Sequence, residues 1–209
     1  MATLQDIQEK IYRLLDEVDA DNADEDLILD AIGASLDEIL PWIPNLQITT
    51  LSQGSRVYEL PADFYSAEAV LDSNGDPLPR AQLIVGSYFG ESSDPNGWIL
   101  FPSGSITFAQ ELDDDHTFYY VAQWEKPTTG TNPSASLDFP DYATQAVCLY
   151  ATAYCLLPDA VSIAELRQFN TRTDSGNPEH NPRQKAFEFL LKLFKDCLSR
   201  VPKYQRVGE

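Results

Sequence analysis

The chain has 209 residues, enough for one good core or for one core carrying an inserted subdomain. Its 43% apolar fraction is that of a globular protein, but 33 acidic against 14 basic side chains give −19. That charge excludes nucleic-acid phosphates and anionic membranes as partners except at a local basic patch. Three cysteines are too few for a disulfide framework and suit a reducing compartment.

The first predicted element is a helix in "TLQDIQEKIYRLLDEV". Thr3 is placed to accept from first-turn amides and Asp6 stands at the capping-box position. Leu4, Ile7, Ile11, Leu14, Leu15 and Val18 then fall on one face. "MATLQDIQEK" has neither the basic nor the apolar region of a signal peptide. "DADNADED" interrupts the pattern, and a second helix follows in "DEDLILDAIGASLDEIL". Its stripe is Leu27, Ile28, Ala31, Ile32, Leu36 and Ile39, its first turn is acidic, and Pro41 and Pro44 end it.

From Leu46 the period becomes two. "LQITTLSQ", "SRVYELP", "SAEAVLD", "AQLIVGSYF", "GWILFP", "SITFAQEL" and "HTFYYVAQWEK" read as strands separated by glycine-bearing turns at Gly54, Gly75, Gly97 and Gly104. "PTTGTNPSAS" reads as a linker. A helix then starts at Pro140, with Asp138 or Phe139 as its cap, and runs to Leu157, where Pro158 stops it. Tyr142, Ala146, Val147, Tyr150, Tyr154 and Leu157 mark one side, yet Ala143, Cys148, Ala151 and Cys155 make the other side apolar too. A helix apolar on most faces is a buried one. Its longest near-continuous apolar run, Ala146–Leu157, is about half the roughly 20 residues a bilayer requires. "DAVSIAELRQFN" reads as a shorter helix and "TRTDSGNPEHNPR" as a polar loop. The last helix, "PRQKAFEFLLKLFKDCLSRV", has Phe187, Leu190, Leu191, Phe194, Leu198 and Val201 on its stripe. "PKYQRVGE" follows without a pattern.

The predicted fold class is therefore α+β: a helical bundle interrupted by a small antiparallel β-sandwich or barrel. Its parts are N-terminal helices (1–45), the β insertion (46–126), a linker (127–137), C-terminal helices (138–201) and an extended tail (202–209). Charge follows this division. Residues 1–40 hold 12 acidic and 2 basic side chains (−10), 41–137 hold 12 and 3 (−9), and 138–209 hold 9 of each. Within the last part, 183–209 hold 7 basic and 3 acidic, net +4.

Few constellations point to chemistry. Cys148 and Cys155 are seven apart, unlike zinc-ligand spacing, and read as packing residues. His116 and His180 are isolated, which leaves a serine or cysteine nucleophile little to work with. "DSNGDPLP" begins like a calcium loop but has Pro77 where glycine belongs and Leu83 where glutamate belongs, so an Asn-Gly hairpin describes it better. "ELDDDH" reads as a solvated loop tip. Trp42, Trp98 and Trp124 could form a sugar-stacking face, although core packing is the commoner use. No catalytic residue, metal site or cofactor site is predicted.

The order of elements is the most informative feature. An acidic helical pair leads into strands with "RVYELPADFYSAEAVL", then to "FPDYATQAVCLYATAYCLL" and "NPRQKAFEFLLKLFKDCLSR". This resembles the head-to-tail adaptor (connector) proteins of tailed bacteriophages. In them "Y-x-LP-x-DF" recurs in the β insertion, here Tyr58, Leu60, Pro61, Asp63 and Phe64. The resemblance implies a structural virion protein rather than an enzyme, assembled in the bacterial host cytoplasm. It implies a ring, commonly of twelve copies, that joins the portal to a tail or nozzle protein while DNA passes through unbound. By the same analogy the tail, with Lys203, Tyr204, Gln205, Arg206 and Val207, enters the portal. A head-to-tail ring needs two different patches per subunit. The candidate pair is the acidic 1–40 segment against a neighbour's basic 183–201 helix, with Lys192 and Lys195 in the contact. The competing readings are a carbohydrate-binding or hydrolytic phage-tail or cell-wall module, and a tail-completion protein.

Overall fold

A computed structural model describes residues 2–17, 23–81, 97–170 and 182–201, with backbone alone for 158–170 and 182–183. The chain divides into two compact units: Met1–Ile43 with Trp124–Tyr204, and Pro44–Gln123. The first is helical and the second is built of strands, so the fold is mixed α+β.

Helix α1 (Leu4–Glu17) begins with the capping box its sequence predicts. The Asp6 amide donates to Thr3 Oγ1 at 3.1 Å, and the Thr3 amide and hydroxyl donate to Asp6 Oδ2 at 3.0 and 2.7 Å. These bonds favour the ionised carboxyl, so Asp6 is held below the usual carboxylate value of 3.8. Leu4, Ile7, Ile11 and Leu15 are buried, and Leu14 is half-buried. Val18 lies outside the described residues. The stability that the cap contributes is present above the ordinary carboxylate value and lost as pH falls through the lower folded value. Thr3→Val is expected to return the Asp6 midpoint toward 3.8 in a carboxyl NMR titration. An unmoved midpoint would show that the box does not form in solution.

Helix α2 (Glu25–Ile39) is capped by Asp24, whose Oδ1 accepts from the Leu27 amide at 2.7 Å. Glu25 and Asp26 stand in its first turn, where the helix dipole favours them. It ends before Pro41 through a turn in which the Trp42 and Ile43 amides donate to the Ile39 carbonyl. Leu29 joins Ile28, Ala31, Ile32, Leu36 and Ile39 in burial, and Leu27 is only half-buried. The stripe is wide, and the helix packs on the later helix Thr144–Asn170.

Within the helical unit, segment 131–137 runs back along the start of α1. The Leu4 and Gln5 amides donate to the Ala135 and Pro133 carbonyls at 3.0 and 2.9 Å. Pro140 then takes the cap position of a 3-10 turn, Asp141–Ala143, without a side-chain bond. This corrects the expectation that Asp138 or Phe139 caps a helix starting at Pro140. The proline holds φ −63° and ψ 140°, an extended conformation that delays the α-helix to Thr144.

Helix α3 (Thr144–Asn170) has 27 residues and continues through Pro158. The expected stop there, and the separate short helix after it, are corrected. A proline removes one intrahelical bond and crowds the preceding turn, but a helix anchored on both sides can keep its course at that cost. Ala143, Ala146, Val147, Cys148, Leu149, Ala151, Ala153, Cys155 and Leu156 are buried all round the axis. Of the expected stripe, Tyr142 and Leu157 are exposed instead. Thr152, also buried, donates to the Cys148 carbonyl at 2.7 Å. Helix α4 (Pro182–Ser199) packs on α3, with Phe194 against Tyr150 at 5.0 Å between ring centroids. Helices α1 and α2 pack on α3 as well, so α3 is the spine of this unit.

The strand unit holds β1 (Asn45–Leu51), β2 (Val57–Glu59), β3 (Phe64–Leu71), β4 (Trp98–Phe101), β5 (Ser105–Phe108) and β6 (His116–Ala122). The described strands form two open antiparallel three-stranded sheets, ordered β1-β6-β3 and β2-β5-β4. The run expected at "AQLIVGSYF" lies, apart from Ala81, outside the described residues. One core takes side chains from both sheets: Leu51, Val70, Phe118, Tyr120 and Ala122 from the first, and Trp98, Ile106 and Phe108 from the second. Gly75 and Gly104 take positive φ, 88° and 83°, in the turns the sequence marks. On edge strand β1 the alternation faces outward, leaving Leu46 and Ile48 exposed.

Candidate assembly surfaces

Helix α4 presents its cations by simple periodicity. Leu190, Phe194 and Leu198 turn inward, which leaves Lys185, Glu188, Lys192, Lys195, Asp196 and Arg200 exposed. Glu188 accepts a hydrogen bond from Gln184 Nε2 at 3.0 Å. Phe189 is 59% exposed among them. Sequence reasoning missed it because the stripe beginning at Phe187 accounted for the aromatic content of this helix. The predicted tail residues Lys203, Tyr204, Gln205, Arg206 and Val207 lie outside the described residues.

The opposite charge gathers on α1 and α2. Glu9, Asp16, Glu17, Asp24, Glu25, Asp26, Asp30, Asp37 and Glu38 are all exposed. Asp37 pairs with Lys126 Nζ at 2.6 Å, an exposed contact worth about 0–1 kcal/mol. Asp26 accepts from the Thr129 hydroxyl at 3.0 Å. Tyr12, 41% exposed, stands among these acids, and burial together with Glu25 and Asp24 raises its hydroxyl above the ordinary value.

The residues of "Y-x-LP-x-DF" converge within the strand unit. The Tyr58 hydroxyl donates to the Ser52 carbonyl and, at 3.0 Å, to the Ser55 carbonyl, locking the β1–β2 turn to β2. The Leu60 amide donates to Gly104 and its side chain packs on the shared core. Pro61 opens a turn closed by the Phe64 amide at 3.0 Å. Asp63 accepts from the Tyr120 hydroxyl at 3.3 Å, and its carbonyl accepts from the Gln123 amide. Phe64 stacks on Phe118 at 6.2 Å and lies 6.1 Å from Tyr120. The motif is a clamp joining β2, β3 and β6, and it leaves no reactive group in a cleft.

A family model for the SU10 adaptor protein matches residues 2–185. The chain belongs to the SU10 adaptor protein family. No curated protein matches it. Membership makes it a structural adaptor protein of a phage, located in the virion and associated with other virion proteins. The match ends inside α4, so Lys192, Lys195 and the tail lie beyond it.

Several of the adaptor's other polar features have structural partners, while the buried Trp124 indole N–H has none among the described residues. Burial pushes the Cys148 and Cys155 thiols up to about 11, which keeps them protonated near neutrality. His116 Nδ1 lies 2.9 Å from the Asp114 carbonyl, and its ring meets Phe108 edge to face. His180 lies outside the described residues. Asp72 spends Oδ1 on the Asn74 and Asp76 amides at 2.9 and 2.8 Å, closing the Asn-Gly turn expected in place of a calcium loop. In the "ELDDDH" loop, Asp115 accepts from the Gln53 amide at 2.8 Å. Among the described residues, no three His, Cys, Asp or Glu side chains group as metal ligands. No helix among them is long and apolar enough to cross a membrane. Trp98 and Trp124 are 2% and 8% exposed and offer no ring face to a sugar, whereas Trp42 is 52% exposed, so the three make no shared stacking face. Trp98 donates its indole N–H to the Leu78 carbonyl and carries the Arg80 guanidinium over its ring.

Proposed function

We propose that this adaptor forms a closed ring that joins the portal to a tail or nozzle protein and lines part of the DNA channel. The observation that carries the reading is the separation of charge within a phage adaptor: −10 over residues 1–40 against +4 over 183–209. Two unlike patches on one subunit are what a head-to-tail ring requires. The proposed contact sets the acidic 1–40 face against a neighbour's α4, with Lys192 and Lys195 in the interface. The net −19 suits a channel, because each phosphate neutralised by Lys or Arg would add salt-sensitive affinity and slow the passage of DNA. The tail, with Lys203, Tyr204, Gln205, Arg206 and Val207, is the proposed portal contact. A short basic segment without hydrophobic periodicity gains order from an acidic groove rather than from its own chain. Assembly takes place in the host cytoplasm, and the tail or nozzle protein docks on the ring once it is closed.

Deleting residues 202–209 tests the portal contact. The truncated protein is expected to keep its helical circular dichroism, because α4 ends at Ser199, and to lose co-sedimentation with portal rings. A truncated protein that still co-sediments normally overturns the tail assignment. Electron micrographs of particles carrying a tagged adaptor test the ring: density of the tag anywhere but the head–tail junction overturns the adaptor position.

A further inference from the structure

Two exposed aromatic side chains in the helical unit carry rims of opposite charge. On α4, Phe189 is flanked by Lys185 four residues before it and Lys192 three residues after it, both exposed. On α1, Tyr12 is flanked by Glu9 three residues before it and Asp16 four residues after it, both exposed. Asp24 and Glu25, at the start of α2, add to the acidic rim, since both act on the Tyr12 hydroxyl. The α1 cations, Lys10 and Arg13, line a groove with Asp6, Glu9 and Asp141, so Glu9 borders both that groove and Tyr12. Isolated exposed aromatics are common, and charged helix faces are more so. A large apolar side chain bordered by two like charges, matched by a second bordered by the opposite sign on the same unit, has the anatomy of a hot spot with a charged surround, and Glu188 stands exposed between Lys185 and Lys192 as the one acid on that α4 face.

We infer that the Phe189 face of one copy docks on the Tyr12 face of the next, and that this aromatic pair is the anchor of self-association. The inference rests on the ring reading and specifies its interface. The occupant is a second copy because the charges are complementary between these two faces and repulsive between two copies of either. Pairing α4 with α4 would set Lys185 and Lys192 against themselves, and pairing α1 with α1 would do the same to Glu9 and Asp16. A heterologous contact is therefore favoured over a two-fold one. Docking brings the lysines onto the Tyr12 ring face and toward the neighbouring carboxylates, where ammonium–aromatic attraction and ion pairing act together.

Cross-linking tests the pairing without removing the anchors. In a full-length Cys197→Ser background, Asp16→Cys and Lys192→Cys are introduced singly and together, and the protein is oxidised after assembly on portal-bearing particles. The double variant is expected to give a ladder of covalent multimers, and each single variant no ladder. Phe189→Ala is expected to weaken assembly at least tenfold with unchanged circular dichroism. Lys185→Glu with Lys192→Glu is expected to abolish assembly, and adding Asp16→Lys with Glu25→Lys to restore it. Rings at the head–tail junction that give no ladder and tolerate Phe189→Ala overturn this interface while leaving the ring reading intact. A ladder from open filaments supports the contact and removes the ring. Absence of the wild-type chain from the junction overturns both.

Discussion

Replacing Phe118 by alanine is expected to cost the strand unit about 3–5 kcal/mol. The side chain is fully buried on β6, the strand that lies between β1 and β3. Its ring lies 5.5 Å from Tyr120, 6.2 Å from Phe64 and 6.5 Å from Trp98, so it touches both sheets and the last residue of the Tyr58–Phe64 motif. Truncation removes the transfer free energy of the ring and leaves a cavity that paired strands cannot close. Aromatic pairs add about 0.5–1.5 kcal/mol beyond area. A domain with about 5–15 kcal/mol of stability would lose a large fraction of it. Urea unfolding followed by tryptophan fluorescence checks this, since Trp98 reports on the same core. Phe118→Leu should cost clearly less. A loss below about 1 kcal/mol for alanine would mean that the shared core of the two sheets is not formed.

Pro158→Ala has the opposite sign. Residue 158 stands inside the continuous α3, where proline provides no amide for the Tyr154 carbonyl. A proline in a helix interior is about 3 kcal/mol less favourable than alanine. Restoring the donor is expected to stabilise the helical unit by about 1–3 kcal/mol and to slow amide exchange on both sides of the position. If α3 instead ended at Leu157, as local sequence rules suggest, alanine would lengthen a free end and change stability by a few tenths of a kcal/mol. Thermal unfolding of the two proteins side by side separates these outcomes.

The candidate surfaces divide in the same way as the fold. That α4 would carry Lys192 and Lys195 outward could be read from its periodicity, because the apolar stripe dictates which residues remain for solvent. That Phe189 would join them could not. An aromatic residue beside an apolar stripe is buried or exposed according to what packs there, and spacing alone does not say what that is. The clamp formed by Tyr58, Leu60, Pro61, Asp63 and Phe64 was visible as a motif but not as a mechanism. Its partners, Ser52, Gly104, Phe118 and Tyr120, lie up to 57 residues away from the side chains they meet.

The sequence by itself determined most of what depends on neighbours three or four residues apart, the cap expected at Asp138 or Phe139 being an exception. The Thr3–Asp6 box, the Asp24 cap, the Asn74-Gly75 turn and the apolar stripes of α1, α2 and α4 each close within one or two turns of chain. Their hydrogen bonds and faces are written in local spacing. Only the tertiary structure decided the rest. Strand β6 pairs with both β1 and β3 although more than 40 residues separate it from either, and strand partners at that range are chosen by core packing rather than by local pattern. Helix α3 runs through Pro158 against the local rule, a cost that a proline's neighbours in sequence do not predict. Leu46 and Ile48 face outward although their strand alternates correctly, because alternation names two faces and only a packed core says which of them is inside.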